Sequence, residues 1–188
     1  MEWRGIAGTE LVRMLLLSVI IFTLAGFGEE LFFRGYPFQT LVESIKAPAA
    51  VIIMSVAFGV AHFWNPNITP LAMINIILAG VWLSVAYLKT RTLWLPTGLH
   101  VSWNFFQHSV YSFPVSGQAM DERTLFIMNE SGPVLLTGGE FGPEGGLITT
   151  VVLIGGTYFI YISNKIRIGE GVWTVDRYIR EQLEKLSK

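Results

Sequence analysis

The chain has 188 residues, a net charge of −1 and no cysteine. Apolar residues make up 52% of it and charged residues only 14%, against about 25% charged in soluble domains, and its mean hydropathy is +0.51. These values exclude disulfides and thiolate metal sites, argue against a nucleic-acid partner, and point to a lipid bilayer as the surroundings.

The opening residues carry Glu2 and Glu10 ahead of the first apolar run, and no small-residue cleavage site follows it, so a retained first segment is expected rather than a signal peptide. Five hydrophobic segments can be read in chain order: Leu11–Phe27, Pro48–Trp64, Pro70–Leu88, Leu93–Phe113 and Leu147–Ser163. A bilayer core of about 30 Å needs roughly 20 apolar residues in a helix, so the expected fold is an all-α, polytopic transmembrane bundle of about five spans plus amphipathic helices. Pro48 and Pro70 open their segments, a favoured place for proline at a helix start. Between the first two segments, Phe38, Leu41, Val42 and Ile45 recur at helical spacing and predict a connecting amphipathic helix within 34–46.

The stretch 114–146 differs in kind. It is rich in Gly, Pro, Ser and Glu, and its end, Glu140-Phe-Gly-Pro-Glu-Gly-Gly146, is incompatible with regular helix. It reads as an extramembrane loop inside a single domain spanning 1–188, either an ordered lid or a disordered link. The tail 164–188 holds Trp173, Tyr178, Ile179, Leu183 and Leu186 near helical spacing and reads as an interfacial helix. Lys46, Lys89, Arg91, Lys165 and Arg167 fall on one side of the expected spans, which predicts a multi-pass membrane protein with a cytosolic C-terminus.

Three polar groups interrupt these segments. Residues 29–34 read Glu-Glu-Leu-Phe-Phe-Arg at the end of the first apolar run. A charged side chain near the centre of a span costs about 2.5–3.5 kcal/mol, so such groups usually pair, line a wet cavity or do chemistry. Glu30 and Arg34 are four residues apart, face each other on a helix and are expected to form an ion pair; Glu29 points about 100° away and is free to face a cavity. Phe58 and His62 share the same four-residue spacing, as do His100 and Asn104. The bland alternatives are a charge cluster that sets topology, a histidine at the membrane interface, and a polar contact between helices. His108 is read as interfacial, and Asn75 as a packing hydrogen bond.

Taken together, the groups form a hydrolytic set. No cysteine is present, no serine sits in a Gly-x-Ser-x-Gly turn, and Asp121 and Asp176 lie outside the spans. A carboxylate and an imidazole can activate water, while an amide and a second imidazole can donate to an oxyanion. The same residues could instead ligate zinc, as His62, His100 and Glu29 with one position left for water. No His-Glu-x-x-His occurs, so such a metal site must be assembled across three helices.

The ordered set Gly28-Glu-Glu-Leu-Phe-Phe-Arg-Gly-Tyr36, Phe58…His62 and Gly98-Leu-His-Val-Ser-Trp-Asn104 resembles the CPBP (Abi) family of intramembrane proteases, which includes CAAX prenyl proteases and bacteriocin-processing enzymes. The resemblance covers about residues 20–110 and all three family motifs, Glu-Glu-x-x-x-Arg, Phe-x-x-x-His and His-x-x-x-Asn, and the Gly-Pro-Glu-Gly-Gly stretch before the last segment also looks like some bacterial members. It implies an endopeptidase that cleaves a peptide or membrane-protein substrate near the membrane face. By position, Glu29 would activate water with help from His62, His100 and Asn104 would bind the oxyanion, and Glu30, Arg34 and Phe58 would support them. Members are described both as metalloproteases and as glutamate-dependent enzymes, so zinc is left open. Members usually carry several spans before the first motif, and this sequence has one. Two rivals stand beside this reading: a non-catalytic immunity or scaffolding protein that keeps the polar cluster, and a cation-binding, transporter-like protein. A scaffold would retain its function in a folded Glu29→Ala variant, while the lack of an internal repeat argues against transport. The sequence gives no oligomeric state.

Overall fold

The computed structural model describes residues 1–119, 124–128 and 131–168, and within them the chain is mostly helical. The tail helix expected within 173–188 lies outside the described residues. Helix α1 runs unbroken for 27 residues, Gly8–Arg34, or about 40 Å at 1.5 Å per residue. The expected first segment thus continues as helix straight through the acidic motif, so that Glu29, Glu30 and Arg34 occupy its last two turns. Gly35 ends it, its N–H bonding to Leu31 O at 3.1 Å. Helix α2 (Tyr36–Ile45) starts with a proline in its first turn and buries Phe38 completely while most of its other side chains face outward, as its amphipathic spacing predicts.

Helices α3 (Ala47–Ala61), α4 (Pro70–Thr90) and α5 (Trp94–Phe105) follow. Thr69 caps α4, its hydroxyl accepting from Ala72 N at 3.1 Å. A π-helical turn, Phe106–Val110, extends α5. Beyond it come a four-residue α6 (Val134–Thr137), two single 3₁₀ turns (Gly139–Phe141 and Pro143–Gly145) and α7 (Leu147–Ile162). Two short strands, β1 (Glu2–Trp3) and β2 (Phe126–Ile127), pair antiparallel and join the N-terminus to the 114–128 region.

Neighbouring contacts fix the directions. Glu30 meets His100 and Phe22 meets His108, so α1 and α5 are antiparallel. A Cβ on Gly80 would lie 2.8 Å from Ser55 Cα, and one on Gly59 would strike Ile77, so α3 and α4 are antiparallel and almost touch backbone to side chain. Asn75 with Thr150 and Lys89 with Tyr161 set α4 and α7 parallel. Helix α4 is the hub, packed against α3, α5 and α7. The aromatic core includes Phe33, Phe38, Phe58, Tyr87 and Phe141.

The outward faces are apolar. Leu24, Phe32, Val151, Tyr158 and Tyr161 are all well over half exposed, and contiguous faces of this kind are not those of a water-soluble monomer. Two stretches, Gly8–Ile45 and Pro70–Thr90, are long and apolar enough to cross a membrane. Helices α3 and α7 are shorter, at 15 and 16 residues, and the expected segment Leu93–Phe113 yields only 12 residues of α-helix before the π turn. The count of five full-length spans is therefore not reproduced by helix length.

Candidate active site

The last turns of α1 supply the charged floor. Arg34 Nη1 donates to Glu30 Oε1 at 2.9 Å, and its Nη2 donates to Gly80 O, also at 2.9 Å. Both side chains are fully buried. The guanidinium carbon stands 4.8 Å from the centroid of the Phe58 ring, within cation–π range. Glycine at position 80 brings α4 close to α3 and presents the carbonyl that Arg34 uses. Phe58 also touches both histidine rings, with centroids 4.6 Å from His62 and 6.1 Å from His100.

Each imidazole is oriented from behind. His62, the residue that caps α3, bonds through Nδ1 to Phe58 O at 2.8 Å. A carbonyl only accepts, so Nδ1 carries the proton and a neutral His62 leaves Nε2 with a bare lone pair. His100, midway along α5, bonds through Nδ1 to Glu30 Oε1 at 2.9 Å. That carboxylate oxygen is thus shared between Arg34 and His100. A carboxylate behind an imidazole fixes its tautomer and steadies its charged form.

Both Nε2 atoms face Glu29 Oε2, each at 3.9 Å. Glu29 Oε2 is itself buried and has no protein hydrogen-bond partner, although the side chain as a whole is 37% exposed. Wherever an Nε2 carries no proton, its lone pair repels the carboxylate oxygen, so the three atoms need a proton on one ring nitrogen, a water or a cation between them. At 3.9 Å no direct hydrogen bond exists. A water donating to two such atoms at ordinary length would hold them about 4.6 Å apart, and a tetrahedral zinc would hold them about 3.4 Å apart; the observed spacing lies between. The donor set is that of a catalytic zinc, two imidazoles and a carboxylate with room for a further ligand. As they stand, no three His, Cys, Asp or Glu side chains among the described residues are spaced to hold a metal ion directly, so a cation would require the three atoms to close by about half an ångström.

Asn104 lies one turn beyond His100 on α5 and is buried. Glu29, His62, His100 and Asn104 all line one cleft of about 360 Å³, with Phe22 and Ser116 among the other walls. A smaller chamber of about 40 Å³ lies on the other side of His62, His100, Asn104 and Ser116 and reaches Glu144 and Trp103. It has room for one or two waters. The four residues singled out from their spacing therefore come to one cavity, with Glu30, Arg34 and Phe58 beneath them.

Other features refine the sequence reading or add to it. Where it is described, at 114–119, 124–128 and 131–146, the loop segment packs against the helices, as the ordered alternative expects, and Phe141 is buried in the aromatic core. Asn75 makes a packing contact of unusual reach: its amide donates to Glu144 O at 2.7 Å and Gly146 O at 2.9 Å and accepts from Thr150 Oγ1 at 2.6 Å. His108 is buried rather than interfacial, its ring edge-on to Phe22 at 5.9 Å. Glu144, Trp103 and Ser116 were not among the expected site residues. The available signals were a lone carboxylate within Gly-Pro-Glu-Gly-Gly and a tryptophan inside the third motif.

Residues 11–106, half of the chain, match the sequence model of a family described as type II CAAX prenyl endopeptidase Rce1-like. The chain belongs to that family. It is the CPBP family already suggested by the three motifs, and the match contains all of them. The Rce1-like family consists of membrane-embedded proteases, in keeping with the apolar outer faces of this bundle. No curated protein and no solved structure matches the chain.

Proposed function

We propose that this Rce1-like protein is an intramembrane endopeptidase that hydrolyses a peptide bond of a membrane-associated peptide or protein, with Glu29 as the water-activating base. The observation that carries the reading is the partnerless Glu29 Oε2, 3.9 Å from both imidazole Nε2 atoms at the wall of a cleft. With Glu29 Oε2 and His62 Nε2 spread from 3.9 Å to about 4.6 Å, a water between them donates a hydrogen bond to each and turns a free lone pair towards a substrate carbonyl carbon. As the carbon–oxygen bond forms, Glu29 takes one water proton. His100, protonated with Glu30 behind its Nδ1, donates from Nε2 to the developing oxyanion, and the Asn104 amide donates beside it. When the tetrahedral intermediate collapses, the carbon–nitrogen bond breaks and Glu29 returns its proton to the leaving amine. Arg34 holds Glu30 in place, so that His100 keeps its orientation. Zinc is an open cofactor for the same atoms: His62, His100 and Glu29 would hold it, and it would supply Lewis-acid activation of the water.

The membrane arrangement belongs to the same proposal. Helices α1, α3, α4, α5 and α7 would cross the bilayer, the shorter ones where the membrane thins around them. Lys46, Lys89 and Arg91 gather at the end of the bundle where α1 and α7 finish, and Lys165 and Arg167 follow α7 directly. By the excess of basic residues this end is cytosolic, and with it the C-terminus. The test is purified protein in detergent or liposomes, offered a library of membrane-anchored peptides in ¹⁸O water, with and without chelator. A new product carboxylate carrying ¹⁸O is expected; absence of any cleavage across prenylated, bacteriocin-like and unmodified membrane peptides would refute the reading. Loss of activity with chelator and its recovery with zinc would assign the metal.

A further inference from the structure

Glu144 reaches the site from outside the family match and outside the three motifs. Its Oε1 accepts from Trp103 Nε1 at 3.1 Å, and its Oε2 accepts from Ser116 N at 2.5 Å and Ser116 Oγ at 3.1 Å. Trp103 precedes Asn104 on α5, and Ser116 lines both the cleft and the inner chamber. One carboxylate therefore links the helix that bears His100 and Asn104 to the turn that roofs them.

That turn depends on outside ties. Ser116 and Gly117 have φ of 49° and 79°, in the left-handed region where a non-glycine residue is held by its surroundings. Asn65 Nδ2 donates to Ser116 O at 2.9 Å, Gly117 N bonds Phe141 O at 3.0 Å, and Gln107 Nε2 bonds Pro114 O at 2.6 Å. By contrast, the backbone around Glu144 is anchored without its carboxylate: Asn75 holds Glu144 O and Gly146 O, and Thr149 Oγ1 bonds Pro143 O. The side chain is thus spare to its own loop, and what it fixes is the wall of the cleft.

Resting on the hydrolase reading above, we infer that Glu144 is a positioning residue: it sets the separation between the Ser116 turn and α5, and so the width of the channel in which a peptide lies against His100 and Asn104. Its three donors are neutral, which makes the contact specific. A glutamine at 144 has only one acceptor oxygen, so its NH₂ must face either Trp103 N–H or Ser116 N–H, donor against donor. An aspartate falls short by one methylene and reaches only one of the two sides.

The experiment compares full-length wild type, Glu144→Gln, Glu144→Asp and Trp103→Phe in liposomes, with steady-state kinetics on a cleaved membrane peptide and amide hydrogen exchange across residues 114–118. Displaced positioning groups commonly cost one to two powers of ten. The expected result for Glu144→Gln is a KM raised about tenfold with kcat changed less than about threefold, together with faster exchange at 114–118 and unchanged exchange in α1 and α4. Trp103→Phe, which cuts one of the three bonds and keeps an aromatic ring, should shift KM in the same direction, so the inference stays testable if Glu144→Gln does not fold. Active Glu144→Gln and Trp103→Phe enzymes with wild-type KM would overturn the inference, even with faster exchange, because Glu144 would then serve the loop alone. A wild-type protein that neither cleaves nor binds any membrane peptide would remove the hydrolase reading itself, and the inference with it.

Discussion

Replacing Arg34 by alanine isolates the structural half of the site. Its guanidinium is fully buried, and its removal leaves the buried Glu30 carboxylate without a cation, Gly80 O without a donor, and the Phe58 face without its charge. Breaking one partner of a buried ion pair costs about 3–5 kcal/mol, chiefly because the other charge is stranded. Glu29 differs: it is more than a third exposed, its Oε2 has no protein hydrogen bond, and both imidazole Nε2 atoms stand 3.9 Å from it, too far for a direct bond. Removing it breaks no direct hydrogen bond and strands no buried charge, so the expected cost is within about 1 kcal/mol. At about 2–4 °C per kcal/mol for a chain of this size, Arg34→Ala should melt about 6–20 °C below wild type, and Glu29→Ala within about 4 °C of it. The assay is thermal unfolding in detergent, read by monodispersity on gel filtration after heating. A Glu30→Gln/Arg34→Met double variant should recover part of the loss, since no charge is stranded and the new amide oxygen can still accept from His100. Equal melting of Arg34→Ala and Glu29→Ala would refute this division of roles.

Further outcomes follow from the same contacts. Gly80→Ala forces a Cβ to within 2.8 Å of Ser55 Cα, so it should destabilise by about 1–3 kcal/mol through overpacking and lower activity by moving the Arg34 acceptor, both measurable on one purified sample. Asn75→Ala removes donors from two loop carbonyls and the acceptor of Thr150; a cost of about 1–3 kcal/mol for groups left unpaired should appear as faster proteolysis within 139–146. Asn104→Ala should lower kcat about 10²–10³-fold if it donates to the oxyanion, with melting close to wild type; an unchanged kcat would remove that role.

The part of the site that follows from local spacing could be read from the sequence, and the part built between distant segments could not. Glu30 with Arg34 and Phe58 with His62 are each four residues apart on or at the end of one helix, and the structure joins them as that spacing requires. The bond from Glu30 to His100 crosses 70 residues, and no periodicity announces it; only the scarcity of polar groups in apolar segments says that such groups must find each other. Helix lengths were less legible. Hydrophobicity runs on from Leu93 to Phe113, but the helix loosens into a π turn after Phe105, and such turns often lie at functional sites. In the Gly- and Pro-rich segment, composition excluded regular helix over 140–146 but neither announced the short α6 nor decided between order and disorder. Order there comes from side chains elsewhere, Asn75 on α4 and Trp103 on α5, which donate to its carbonyls and to Glu144.

The most direct measurement is kcat for a membrane-anchored peptide with Glu29→Gln set against wild type, both in liposomes and matched for melting temperature. Glutamine keeps size and polarity at Oε1 but cannot take a proton from water, so kcat should fall by about 10²-fold or more while peptide binding stays near wild type. Turnover by Glu29→Gln at the wild-type rate would contradict the mechanism at its centre.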